Sequence, residues 1–217
     1  MAPLLYSLVK MQRPQTSMAV GLGYSTLHIL KALAENYQEL QYDIEVMQGK
    51  TVDPMRREVL YEDYFNDPDL LQQPVLHGID NFSEQGPHLE GLKACVAALE
   101  LAPFFKLHQM DFQDFDAEST LENECVDFIW LDCGHQLDYP AQINKFWPLL
   151  EPDGGVMAIH YTHVDIDMDY DGEIHKLMIT GAVTNAIKKQ QLTAQMNSRF
   201  EYISLLEPHK FDKAVCL

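Results

Sequence analysis

Acidic residues follow three of the strands that the sequence predicts, at the point where each strand ends. They are Asp80, Asp111 and Asp132. The carboxyl ends of parallel strands meet at one edge of an open α/β sheet, where such folds bind ligands, so we expect these carboxylates to lie near each other. Carboxylates accept hydrogen bonds from ribose hydroxyls or an adenine amine, and the adjacent Asn81 and Phe112 add an amide and an apolar ring. Each acid alone could cap a helix, but together they predict a site for an adenosine-like ligand.

A pair of glycines follows the first predicted strand and precedes a predicted helix. Gly21 and Gly23 stand in the segment Gly-Leu-Gly-Tyr-Ser, and the helix begins near Ser25. Glycine lets a backbone turn sharply and lets a ligand approach it closely, and the first N–H groups of a helix can bind polar ligands. We therefore add Gly21, Gly23, Tyr24 and Ser25 to the predicted site. The third glycine of a dinucleotide fingerprint is missing, so a nicotinamide dehydrogenase is the less favoured interpretation.

Two histidines near the ends of the fourth and fifth predicted strands are candidates for proton transfer. Histidine exchanges a proton near neutral pH, which suits a general base. We take His135 as the first candidate and His160 as the second, with Asp132 placed to orient one of them or the substrate. A structural hydrogen-bonding role for His135 is an equally weighted alternative.

Alternating strands and helices must hold these residues in place. Continuous apolar runs predict strands at residues 16–20, 75–79, 105–110, 126–131 and 156–161. Helical patterns predict helices at about 4–12, 25–36, 87–102, 138–150 and 173–190.

This alternation predicts an α/β fold, a Rossmann-like doubly wound sheet that is mainly parallel. Residues 200–206 and 213–217 are predicted to form a terminal antiparallel strand pair. We expect one domain over residues 1–217, with residues 37–73 as an insertion that forms either a lid or a solvated surface excursion.

The order and spacing of these motifs resemble the class I S-adenosylmethionine-dependent methyltransferases, in their small-molecule branch. The resemblance covers most of residues 4–215 and rests on four segments, at 20–26, 78–80, 126–135 and 147–156. It implies S-adenosylmethionine as cofactor and methyl transfer to an oxygen or nitrogen of a small molecule. It further implies that two copies can pair as a homodimer.

The resemblance also assigns roles to the predicted site residues. Gly21 and Gly23 would face the methionine part of the cofactor, and Asp80 would hold the ribose. Asp111 and Phe112 would frame the adenine.

Two positions depart from the family pattern. An acid usually stands two residues before the first glycine, where this chain has Ala19. This departure motivates an alternative, a methyltransferase-like fold that has lost methyl transfer and serves as a non-methylating enzyme or a binding protein. Many relatives also end the fifth strand with an acid where this chain has Tyr161. Magnesium on Asp132 would lack that carboxylate, so we predict no metal ligand and keep magnesium only as a doubtful cofactor.

Composition restricts the range of partners. The chain has 217 residues, with 15 Lys and Arg against 33 Asp and Glu, a net charge of −18. This acidity argues against nucleic acid or an anionic membrane as partner. No apolar run is long enough to span a bilayer, and the four cysteines form no C-x-x-C pair. We therefore expect a cytoplasmic protein that acts on a small-molecule acceptor.

An acidic stretch follows the fifth predicted strand, with aspartates at 165, 167, 169 and 171. Its start is similar to a calcium-binding loop, but the closing glutamate expected at the twelfth position from Asp167 is Met178. We therefore predict a solvated acidic loop.

Overall fold

Five parallel strands form one sheet in the computed structural model. The structure describes residues 2–51, 71–83, 88–122, 125–132, 139–152 and 154–160, the backbone of 165–170 and 173–178, and residues 186 and 189. The strands are β1 (Thr16–Val20), β2 (Val75–Ile79), β3 (Phe105–His108), β4 (Phe128–Leu131) and β5 (Val156–Ile159).

The sheet has the strand order β3-β2-β1-β4-β5. The prediction of an α/β fold with a parallel sheet is confirmed. The chain order reverses between β1 and β4, and a reversal of this kind opens a crevice outside the carboxyl ends of the two strands.

Five α-helices are described, α1 (Ala2–Gln12), α2 (Tyr24–Met47), α3 (His88–Ala98), α4 (Ala117–Leu121) and α5 (Tyr139–Phe146). Two short 3-10 helices occur at Ala102–Phe104 and Trp147–Leu149. The sequence predicted α2 to end at residue 36, but it continues to Met47. Leu40 extends its buried face, and no glycine or proline interrupts the chain before Gly49. Residues 52–70 of the predicted insertion lie outside the described residues.

A two-stranded antiparallel sheet stands where the sequence predicted an acidic loop and the start of a helix. It consists of β6 (Asp165–Tyr170) and β7 (Glu173–Met178), with Tyr170 paired to Glu173. The helix predicted from residue 173 is therefore wrong over β7. In β6 the aspartates alternate with Ile166, Met168 and Tyr170, a period-two pattern that favours a strand. The terminal pair predicted at 200–206 and 213–217 lies outside the described residues.

The chain divides into two compact units, and α1 and α2 pack together in the first. This unit comprises Met1–Ser17, Gly23–His77 and Phe82–Lys106. The Tyr6 hydroxyl donates a hydrogen bond to Glu35. Lys10 and Arg13 both pair with Glu39, at 2.7 and 2.8 Å. The Asn36 amide also donates to the carbonyl oxygen of Val9 at 3.0 Å, near the end of α1.

The second unit comprises Met18–Leu22, Gly78–Asn81 and Leu107–Leu217, and it contains an apolar core cluster. The cluster takes alternate residues from β4 and β5, namely Ile129, Leu131, Met157 and Ile159. Because side chains alternate between the two faces of a strand, Trp130 and Ala158 lie on the opposite face.

The turn before β5 is packed too tightly for any side chain at Gly155. A Cβ atom there would lie 2.6 Å from the carbonyl oxygen of Glu151 and 2.7 Å from Cγ of Leu150. We expect Gly155→Ala to destabilise the protein by about 1–3 kcal/mol, because the turn must shift to relieve the overlap.

Urea unfolding followed by circular dichroism checks this expectation, and Gly91→Ala is the matched control. Gly91 lies within α3, and a Cβ atom there would meet nothing within 4 Å. Alanine should therefore stabilise that helix by about 0.5–1 kcal/mol. A stability loss of the same size in both variants would contradict the packing argument.

The Tyr6–Glu35 hydrogen bond makes the packing of α1 on α2 depend on pH. This bond raises the pKa of Tyr6 and lowers the pKa of Glu35. A lowered carboxyl pKa stabilises the fold above the ordinary pKa of glutamate, about 4.3, and that stability is lost as the pH falls through the lowered value. The raised Tyr6 pKa gives stability at neutral pH that is lost as the pH rises through it.

We expect Tyr6→Phe to lower the free energy of unfolding at about pH 7 and to have a smaller effect at about pH 3. Urea titrations of both proteins at the two pH values measure the difference. Tyr37→Phe serves as the control, because it removes a hydroxyl from α2 at a ring that packs on Phe104. An effect of Tyr6→Phe that stays constant with pH would exclude the proposed linkage.

Candidate functional site

The turn after β1 is held by hydrogen bonds to the end of β2. Gly21 has a φ of +83°, a left-handed conformation that favours glycine, and its N–H donates to the carbonyl oxygen of Ile79 at 3.0 Å. The next N–H, of Leu22, donates to Oδ2 of Asp80 at 2.8 Å. The structure therefore brings together two predicted site residues, Gly21 and Asp80. It also shows a contact that sequence reasoning missed, since a backbone donor such as the Leu22 N–H has no sequence signature.

Gly23, the second glycine of the pair, directly precedes α2. Its backbone conformation does not require glycine. Gly23 has extended backbone angles, and a Cβ atom there would meet nothing within 4 Å among the described residues. Its N–H donates to Oγ1 of Thr26 at 3.1 Å, so Thr26 helps to fix the start of the helix. The space beside Gly23 is compatible with the close approach of a ligand that the sequence predicted.

Tyr24 and Ser25 form the first turn of α2. The Tyr24 side chain is 73% exposed, and its ring contacts His28 edge to face at a centroid distance of 4.6 Å. This exposure leaves the ring accessible to a ligand.

Asp111 and Asn81, both predicted from the sequence, contact each other at the ends of β3 and β2. The Asn81 amide donates to Oδ2 of Asp111 at 3.1 Å, and Oδ1 of Asp111 accepts from the Gln113 N–H at 2.9 Å. Phe112 is partly buried against the core cluster, with its ring centroid 6.5 Å from that of Phe146. The ends of β2 and β3 therefore present an acid and an amide in fixed positions.

Asp132 and His160 form a hydrogen-bonded pair at the ends of β4 and β5. The two strands pair Phe128 with Val156 and Leu131 with Ile159, and one more step in the same register brings Asp132 beside His160. Oδ1 of Asp132 lies 2.7 Å from Nδ1 of His160, and the side chains are 27% and 15% exposed. The pair is thus largely enclosed but still reached by solvent.

The backbone around this pair is fixed as well. The Asp132 N–H donates to the carbonyl oxygen of Val20 at 2.8 Å, and the His160 N–H donates to that of Leu131 at 2.9 Å. A carboxylate accepts the Nδ1 proton of a neutral imidazole, which leaves Nε2 with a lone pair. This arrangement is suited to removing a proton from a bound hydroxyl or amine.

Some predicted residues cannot be placed. His135, the first candidate base, and Tyr161 lie outside the described residues. No group of three or more His, Cys, Asp or Glu that could hold a metal ion occurs within the described part of the chain. No helix among those described is both long and apolar enough to cross a bilayer.

A family model described as a methyltransferase domain matches residues 18–162, which include Gly21, Asp80, Asp111, Asp132 and His160. No curated protein matches the sequence.

Several solved structures are similar to this chain. One is an O-methyltransferase from Bacillus cereus in complex with SAH, with 18% identity and a TM-score of 0.44 over 70% of this chain and 52% of that one. Another is the O-methyltransferase TomG from Streptomyces achromogenes, involved in tomaymycin synthesis and in complex with SAM, with 15% identity and a TM-score of 0.48 over 91% and 68%. A third is the SAH-bound methyltransferase PaMTH1 from Podospora anserina, with 11% identity and a TM-score of 0.48 over 96% and 74%. This chain spans about half the length of the Bacillus cereus protein.

Proposed function

The chain belongs to the methyltransferase-domain family, and we propose that it transfers a methyl group from S-adenosylmethionine to an oxygen or nitrogen of a small molecule. The family match confirms the resemblance that the sequence motifs indicated. The observation that carries the proposal is the Asp132–His160 hydrogen bond at the carboxyl ends of β4 and β5, beside the point where the strand order reverses.

The polar groups at the strand ends fit the proposed cofactor. S-adenosylmethionine has donors on its ribose, its adenine amine and its ammonium group, and it has a cationic sulfonium. Asp80 and Asp111 supply acceptors for these donors, since each carboxylate can accept about four hydrogen bonds. In this proposal Asp80 holds the ribose, and Asp111 and Phe112 hold the adenine.

The proposed site also includes the glycine turn. By the resemblance to the family, Gly21 and Gly23 would contact the methionine part, and Tyr24, Ser25 and Asn81 stay predicted cofactor-binding residues. The proposal contains no step that requires magnesium.

The proposed chemistry uses the imidazole as the base. The bound cofactor would supply an electrophilic methyl group. Nε2 of His160 would take the proton of the acceptor hydroxyl or amine while the acceptor oxygen or nitrogen bonds to the methyl carbon, and the methyl–sulfur bond would break to leave the neutral thioether of S-adenosylhomocysteine. Asp132 keeps Nδ1 protonated, orients the ring and stabilises the imidazolium that forms. The acceptor class, the cytoplasmic location and homodimer formation stay predictions.

The alternative function rests on Ala19. This residue lies in β1 and is fully buried, at the position where the family pattern has an acid. Without that carboxylate the chain lacks one acceptor for the cofactor's ammonium group. If the protein does not bind the cofactor, the main proposal is contradicted.

Calorimetric titration with S-adenosylhomocysteine and S-adenosylmethionine tests the proposal. We expect micromolar binding to the wild type and at least about a tenfold loss of affinity in Asp80→Asn, which corresponds to about 1.4 kcal/mol. The substitution keeps the size of the side chain but removes the charge that the ribose hydroxyls contact.

The control is Asp127→Asn, which makes the same charge change directly before β4, at the opposite end of that strand from Asp132. Its affinity should equal that of the wild type. No binding to the wild type at millimolar cofactor would make the alternative function the better account.

A second test separates the two candidate bases. We expect His160→Gln to slow methyl transfer by about 10²–10⁴-fold with an unchanged affinity for S-adenosylhomocysteine. Formation of S-adenosylhomocysteine, measured with a panel of small phenols and amines, gives the rate. A loss of this size in His135→Gln, with His160→Gln fully active, would assign the role to His135.

A further inference from the structure

Trp130 lies against the ring of His160 and is not used by the chemistry proposed above. It is fully buried in β4, and its ring centroid lies 5.5 Å from that of His160, with the ring planes inclined by 37°. The register pairs Trp130 with Ala158, and His160 follows Ala158 by two residues on the same face of β5.

Three consecutive residues at the end of β4 contact His160. The Trp130 indole contacts its ring, the Leu131 carbonyl accepts its backbone N–H, and the Asp132 carboxylate contacts Nδ1. One hydrogen bond alone leaves an imidazole considerable freedom, since rotation about χ2 of histidine is broad and roughly two-fold. A second contact is needed to define the plane of the ring.

We propose that Trp130 is a positioning residue for the Asp132–His160 pair. The flat indole limits the plane of the imidazole, and the hydrogen bond to Asp132 then selects which of the two ring flips is occupied. Together they direct Nε2 away from Asp132, toward the position of the acceptor. The inference rests on the proposed role of His160 as base, which it deepens.

The chemistry of tryptophan suits this role better than that of an aliphatic residue. Its ring face is electron-rich and attracts a cation within about 6 Å of the ring centroid. The centroid of the His160 ring lies 5.5 Å from that of Trp130, which is within this distance. Phenylalanine keeps a flat, weaker π face, whereas leucine provides neither a flat surface nor a π face.

Nitrogen-15 NMR of the histidine rings tests the proposal without cofactor or acceptor. The two ring nitrogens of a neutral imidazole have different shifts, so the spectrum reports which one carries the proton. The chain has nine histidines. The signals of His160 are identified as those that are missing from the spectrum of His160→Gln. We expect a single tautomer in the wild type, protonated at Nδ1, at a pH where imidazoles are neutral.

The variants are Trp130→Phe and Trp130→Leu, with Trp147→Phe as the control. Trp147 packs in the core cluster on the other face of β4 and β5. Trp147→Phe therefore makes the same substitution without changing the surroundings of His160. We expect the Nδ1 shift of His160 to move toward its unprotonated value in Trp130→Leu. Trp130→Phe should move the signal in the same direction by a smaller amount, and Trp147→Phe should leave it unchanged.

A wild-type His160 signal in folded Trp130→Leu would overturn the proposal. If Trp130→Leu does not fold, Trp130→Phe is the deciding variant. A change in the Nδ1 shift of His160 that is greater than the change in Trp147→Phe supports the role of Trp130, and an equal change overturns it. Titration of the wild type with S-adenosylhomocysteine separates the two hypotheses. If S-adenosylhomocysteine does not bind, the proposed function is contradicted, but the NMR result on Trp130 is not affected.

Discussion

The parallel pairing of β4 with β5 fixes the separation of the two residues on which the proposed chemistry depends. Ile129, Leu131, Met157 and Ile159 are each at most 1% exposed, and a fully buried side chain of this kind contributes about 1.5–3 kcal/mol. A hydrogen bond to a charged group contributes about 1.5–3 kcal/mol in total. A one-residue slip of either strand would turn its two apolar side chains out of this core cluster, so their packing favours the observed register. The Asp132–His160 contact follows from that register rather than causing it.

The end of β2 shows how one residue can serve both the fold and a ligand. The Asp80 carboxylate binds the Leu22 N–H and thereby ties the turn after β1 to the neighbouring strand. In the proposed function it is also the acceptor for the ribose hydroxyls. The left-handed Gly21 makes this arrangement possible, because its φ of +83° directs the following N–H toward the carboxylate. Loss of Asp80 would therefore affect the turn as well as the ligand.

Continuous apolar runs made the five parallel strands predictable, and the acids at the strand ends followed from those strands. The contact between Asp132 and His160 was suggested by their position at neighbouring strand ends, but its register depends on packing across the sheet. The true end of α2 was missed because the polar stretch after residue 36 resembles a surface segment, although Leu40 still packs. At β7 the helical pattern was misleading, since pairing with β6 decides the conformation there. The contact between the rings of Trp130 and His160 joins β4 to the residue after β5, and no single-strand pattern reveals such a contact.

The packing of α1 on α2 has a consequence for the entropy of ligand binding. The helix α2 has 24 residues and is about 36 Å long, and its first residue directly follows Gly23. The contacts of α1 with Glu35, Asn36 and Glu39 hold the helix in its middle. The N-terminal turn of α2 continues directly into the part of the helix that α1 contacts. The backbone N–H groups of this turn are therefore already ordered in the absence of ligand. A molecule that binds there gains its hydrogen bonds with little loss of conformational freedom in the protein.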